Sequence, residues 1–129
     1  MTQTIIDYVE LPAVSMTATK DFYTAAFGWA WVDFGPNYAG FDGAQITVGL
    51  NTEATPAPPH DAGSENSIGP LVLFSTDDLE AAEERIRAAG ADLISPPYDY
   101  PGGRRFHFRD PSGNILGVYA ATPPADAQQ

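Results

Sequence analysis

Two stretches of this chain alternate apolar and polar residues, turn sharply and alternate again. In the stronger one, Phe106 and Phe108 share one face of a predicted strand, and Arg105, His107 and Arg109 share the other. Asp110-Pro-Ser-Gly113 follows as a turn, because proline presets φ at the second position and glycine accepts a positive φ. Ile115 to Tyr119 resumes as a strand. The weaker copy is Phe41-Asp-Gly43, read as a turn, followed by a strand from Gln45 to Leu50.

The rest of the chain supplies matching elements. Thr4 to Leu11 reads as a strand stopped by Pro12. Ser15 can cap a helix running to Phe27, and Gly28 supplies its left-handed stop. Met16, Ala18, Phe22, Ala25 and Ala26 form its apolar face. Trp29 to Phe34 and Tyr38 to Phe41 read as strands around a Gly35-Pro-Asn37 turn. Leu71 to Ser75 is a strand. Asp77 then caps a helix with Glu80 in a capping-box position, and Leu79, Ala82, Ile86 and Ala89 form its buried stripe. Gly90 ends that helix, Ala91 to Ser95 is a strand closed by Pro96-Pro97, and Tyr98 to Gly103 reads as an irregular loop.

These elements repeat. Ser15 to Gly28 and Asp77 to Gly90 are equal intervals, 62 residues apart. Each half reads strand, helix, strand, strand, strand. One such unit leaves an apolar sheet face uncovered, so two must pair. The expected fold is α+β: two βαβββ modules forming a curved eight-stranded mixed sheet around a cavity, with the helices outside. Module one covers 4–50, a Pro-rich linker 51–69, module two 70–121 and a disordered tail 122–129, all within one domain. His60 falls in the linker and reads as a solvated loop residue.

Composition narrows the chemistry. The chain has 129 residues and no cysteine, which excludes disulfides, thiolate metal sites and cysteine nucleophiles. Six basic against 17 acidic residues give a net charge of -11, which argues against nucleic acid and anionic membranes as partners. No secretory leader is legible, and no apolar run approaches the roughly 20 residues of a membrane span. A cytoplasmic protein is the expectation.

Glu10-Leu-Pro, Phe22-Tyr23, Phe27-Gly28-Trp29, Ala89-Gly90 and Asp110-Pro-Ser-Gly-Asn114, in this order and spacing, resemble the vicinal oxygen chelate superfamily. That superfamily contains glyoxalase I, extradiol dioxygenases and bleomycin-resistance proteins. The resemblance spans about residues 4–121 and implies paired βαβββ modules and a homodimer. It also implies a divalent metal held by His, Glu or Gln from the module strands. Counted from the motifs, those positions fall at Tyr8, Leu71 and Gly117, with Gln45 or Thr47 for the fourth. Leucine and glycine offer no donor, so no metal set is expected and no cofactor is assigned.

Strand parity from the same positions yields an inward-facing list. Tyr8, Glu10, Arg105, His107 and Tyr119 are expected to converge from both halves, together with Thr47. His107 can serve as a base or line a wet cavity; Glu10 can act as an acid or base, hold a cation, or pair with Arg105. Tyr8, Tyr119, Trp29 and Trp31 can stack on a flat ligand or pack in the core. The resulting expectation is a metal-independent small-molecule binding protein of resistance or sequestration type, for an aromatic or cationic ligand. The alternatives are a glyoxalase-like lyase or isomerase working through Glu10 and His107, and a non-catalytic dimeric scaffold.

Overall fold

The protein's structure is a computed structural model, and it describes residues 4–56 and 70–121. The first half runs β1 (Tyr8–Pro12), α1 (Met16–Phe27), β2 (Val32–Asp33), β3 (Tyr38–Ala44) and β4 (Ile46–Asn51). The second runs β5 (Leu73–Ser75), α2 (Leu79–Ala88), β6 (Asp92–Tyr100), β7 (Gly103–Arg109) and β8 (Ile115–Ala121). Two βαβββ modules are therefore present. The strands form two four-stranded mixed sheets, ordered β1-β4-β3-β2 and β5-β8-β7-β6, and not one continuous eight-stranded sheet. In each, the first strand pairs parallel with the last and the other pairings are antiparallel. Each module's order places its first strand at an outer edge, so the ladders stop at β1 and β5.

Both helices start where a short polar side chain can take an orphan backbone N–H. Ser15 accepts from Ala18 N at 3.2 Å, and Gly28 closes α1 at φ 75°. In α2 the cap is Asp78, which accepts from Ala81 N at 3.1 Å, so the capping box expected from Asp77 and Glu80 does not form. Adjacent aspartates made the start ambiguous by one residue. Ala82 and Ile86 are buried on α2, with Leu79 and Ala89 packed beside the core.

Several other expectations change. Pro96 and Pro97 do not end a strand: β6 continues to Tyr100, with register shifts on both sides of the proline pair. An outermost strand tolerates this, because a proline without an N–H costs nothing on the unpaired side. Asp42-Gly43 is likewise an irregularity within β3, and the chain reverses instead at Gln45, at φ 71°. The strand expected over Trp29–Phe34 shrinks to Val32–Asp33. Ala18 and Ala25 are exposed on α1, whereas Thr19 and Tyr23 are buried. The linker segment 57–69, with His60, and the tail 122–129 lie outside the described residues.

One aromatic core joins the modules. Tyr23 stacks on Trp29 at 5.2 Å, Trp29 stacks on Phe41 at 5.5 Å, and Phe27 meets Phe74 of the second module at 5.1 Å. Phe22 lies 5.9 Å from Phe108. Trp29 and Trp31 thus belong to the core and its margin. Each fully buried ring contributes about 1.5–3 kcal/mol through area removed from water.

The β7–β8 turn reinforces this junction. Asp110 organises its own turn, accepting from Ser112 N, Asn114 N and Asn114 Nδ2, each at 2.9 Å. It also accepts from the Tyr23 hydroxyl of α1 at 2.8 Å. Ser112 Oγ accepts from Val14 N at 2.8 Å, and Asn114 Nδ2 donates to Pro12 O at 2.7 Å. Burial pushes the Asp110 carboxyl above its ordinary pKa, while its hydrogen bonds pull the other way. Burial also raises the Tyr23 hydroxyl, with help from the Asp110 charge.

Candidate functional site

Each sheet has one face against the helical core and one free of helices. Val48, Leu50, Phe106, Phe108, Leu116 and Val118 are in the core. Strand alternation then turns their neighbours to the helix-free faces. All six residues expected at the site lie there, three on each sheet.

On the first sheet, Tyr8 pairs with Thr47 and Glu10 with Gly49. Gly49 in turn pairs with Gly40, and Tyr38 with Asn51. The Tyr8 and Tyr38 hydroxyls are hydrogen-bonded to each other and meet above Gly49, where a Cβ would overlap both. Burial, then hydrogen bonds to Tyr8 and Glu10, push the Tyr38 hydroxyl well above its ordinary pKa. Glu10 accepts from Asn51 Nδ2 at 3.3 Å. The face is open: Tyr8 is 44% exposed, and Val32 and Phe34 are exposed beside it.

On the second sheet, Arg105 pairs with Tyr119 and His107 with Gly117. Arg105 Nε donates to the Tyr98 hydroxyl at 2.6 Å, and its guanidinium lies 4.8 Å from the Tyr100 ring centre. The Tyr98 hydroxyl is also 3.5 Å from His107 Nε2. Since Tyr98 receives the arginine proton, its own O–H is available to the imidazole. His107 is 2% exposed. Gly117 leaves room that Leu73 and His107 use: a Cβ there would overlap a Leu73 methyl and stand 3.0 Å from the imidazole.

The structure thus places three of the six residues on the helix-free face of each sheet. It does not join them through a Glu10–Arg105 ion pair: among the described residues Glu10 bonds Asn51, and Arg105 bonds Tyr98. Tyr38, Tyr98 and Tyr100 are further members. Tyr98 and Tyr100 were expected on an irregular loop, and the continuation of β6 places them opposite β7 instead. Tyr38 was missed, although glycines facing each other at 40 and 49 mark space that large neighbours can fill.

The donor set does not suit the metal that the resemblance implies. Leu73 stands beside Gly117, and neither carries a donor; the position counted at Leu71 is also a leucine. Among the described residues no three His, Cys, Asp or Glu side chains are grouped to hold an ion.

Two βαβββ modules with a polar, aromatic group on each helix-free face define the glyoxalase-like class of fold. A family model described as Glyoxalase/Bleomycin resistance protein/Dioxygenase superfamily matches residues 5–118, and the chain belongs to that superfamily. It is 34% identical over 124 residues to the anthracycline biosynthesis protein DauV of Streptomyces sp. (strain C5), covering 87% of this chain and 45% of that protein. It is 29% identical over 119 residues to CFP32 of Mycobacterium tuberculosis, named as a candidate glyoxylase, covering 89% of this chain and 45% of that one. The chain therefore spans about half the length of these relatives. Among solved structures, TnmS3, an antibiotic binding protein from Streptomyces sp. CB03234, superposes with a TM-score of 0.71 at 25% identity, covering 95% of this chain and 99% of that one. Among the described residues no helix is long and apolar enough to cross a membrane.

Proposed function

We propose that this protein binds a small, flat organic molecule on its helix-free sheet faces without using a metal, as a resistance- or sequestration-type member of its superfamily. Tyr8, Glu10 and Thr47 contact the ligand from one sheet, and Arg105, His107 and Tyr119 from the other. The observation that carries this reading is the replacement of metal donors by Leu73 and Gly117 within an otherwise polar and aromatic face. The antibiotic-binding neighbour TnmS3 supports it. Tyr8 and Tyr38 offer stacking surface, and Glu10, in a chain of net charge -11, favours a cationic ligand. A homodimer fits the same picture: the exposed Ile5, Ile6, Val32 and Phe34 give a second copy an apolar surface to cover.

Calorimetric titration with proflavine, a flat aromatic cation, and with uncharged phenazine tests the site. Glu10→Gln should weaken proflavine about tenfold, the scale of one charge-assisted contact, and affect phenazine less. Binding indifferent to both Glu10→Gln and His107→Ala would remove these residues from the site. Stoichiometric zinc, nickel, manganese or iron in tag-free protein would overturn the metal-free reading.

A second reading has its own support. His107 is nearly sealed from solvent and has a tyrosine hydroxyl near Nε2, with Arg105 bound to that hydroxyl. Such a group can relay a proton, with Glu10 as its acid-base counterpart. Turnover of a hemithioacetal lost in both His107→Ala and Glu10→Gln would favour a lyase or isomerase.

A further inference from the structure

The repeat allows the same place to be compared in both halves. Aligning the caps Ser15 and Asp78 puts Ala82 where the first half has Thr19, and Arg85 where it has Phe22. At the first-half place, the five-residue connection 110–114 between β7 and β8 seals onto α1: Ser112 Oγ is 2.7 Å from Thr19 Oγ1, and Phe22 packs on Phe108. At the matching second-half place, the β3–β4 connection is Gln45 alone. It is too short to repeat that seal, and Ala82 has no hydroxyl to receive one. A cavity of about 810 Å³ remains between Gly43–Ile46, the end of β5 and α2.

This cavity lies on the helix side of the sheets and borders the helix-free face only at Leu73. None of Tyr8, Glu10, Thr47, Arg105, His107 or Tyr119 lines it. Its wall is formed by Val9, Leu11, Trp29 and Phe74, and its size suits a small organic molecule. Its lip is polar, with Thr24, Gln45, Thr76 and Arg85. Arg85 carries the only formal charge on that lining. Lys20, Arg87 and Arg104 each pair with a carboxylate and Arg105 stacks on tyrosines; among the described residues Arg85, like Arg109, forms no ion pair, and of these two only Arg85 lines the cavity. A cavity with apolar walls and a guanidinium at its polar lip is complementary to a ligand with an apolar body and an anionic end.

We propose that this cavity is a second ligand site, for an apolar small molecule bearing one carboxylate or sulfonate. The body lies among Val9, Leu11, Trp29 and Phe74, and the anion rests on Arg85.

A pair of fluorescent probes tests this on the full chain: 1-anilinonaphthalene-8-sulfonate and its uncharged counterpart N-phenyl-1-naphthylamine. The wild type should bind one equivalent of each. Arg85→Met keeps the apolar stem and should weaken the sulfonate about tenfold while sparing the amine. Ala25→Trp places an indole from the exposed side of α1 into the mouth and should weaken both probes, with circular dichroism unchanged. Equal sulfonate affinity in Arg85→Met, indifference of both probes to Ala25→Trp, or no binding to the wild type would overturn the proposal. So would loss of both probes on Arg105→Ala, because that change lies on the helix-free face and would assign them there.

Discussion

Replacing Tyr23 by phenylalanine isolates one hydrogen bond that crosses the two modules. The ring stays, with its stack on Trp29 at 5.2 Å and its edge contact with Phe22 at 4.9 Å. Only the hydroxyl is lost, and with it the 2.8 Å bond to Asp110 Oδ2. That oxygen keeps Asn114 Nδ2 as a donor, and Oδ1 keeps two backbone N–H groups. Hydrogen bonds to a charged partner contribute about 1.5–3 kcal/mol, so the expected loss at neutral pH is about 2 kcal/mol. For a domain of this size that lowers Tm by about 8 °C. The loss should depend on pH. Because burial raises the folded-state pKa of Asp110, its contribution to stability is fully present below the unfolded value and declines as pH rises through the folded one. Removing a donor to the carboxylate raises that folded pKa further. At about pH 4 the carboxyl is more protonated, and the mutational loss should shrink towards the roughly 1 kcal/mol of a neutral bond. Urea unfolding followed by tryptophan fluorescence at both pH values measures this, with the m-value checked for constancy. A loss below about 0.5 kcal/mol at neutral pH, the scale of an ordinary surface change, would refute the reasoning. Equal losses at the two pH values would refute its electrostatic part.

Gly117→Ala should destabilise the fold by about 1–3 kcal/mol, the cost of overpacking, because the new Cβ overlaps Leu73 and presses the His107 ring and the Phe106 carbonyl; thermal unfolding no different from wild type would show that this crowding relaxes freely. Tyr23 and Tyr38 both have raised folded-state pKa values, so the stability they contribute is fully present below the ordinary tyrosine value and lost as pH climbs above about 10. Both should resist ionisation in an ultraviolet titration until the fold gives way; ionisation of Tyr23 or Tyr38 near pH 10 in folded protein would contradict that residue's environment.

Local signals were legible in the sequence and distant ones were not. α1 could be bounded from Ser15 and Gly28 because a cap and a left-handed stop act within one turn. The face of β7 followed from Phe106 and Phe108, since strand parity leaves Arg105 and His107 for the opposite side. The burial of Tyr23 was not legible, because the aspartate that makes it possible lies 87 residues away. Pro96-Pro97 misled for a related reason: whether proline breaks a strand depends on whether that strand is outermost, which only the assembled order reveals. At the candidate site, the three residues on each sheet could be listed by alternation. Tyr38 depends on the pairing of Gly40 with Gly49 across two strands, and local periodicity does not reach that far.

The unequal connections give the molecule an uneven mechanical character. Its halves are latched at one end, where the Asp110–Asn114 turn grips α1 through Tyr23, Thr19, Val14 and Pro12. At the opposite end, a single residue at Gln45 faces an open space. The two matching junctions are therefore unequally sealed, one closed by hydrogen bonds and the other left as a cavity. Duplication alone would have produced two equal clasps; the lengths of two turns decide which one stays shut.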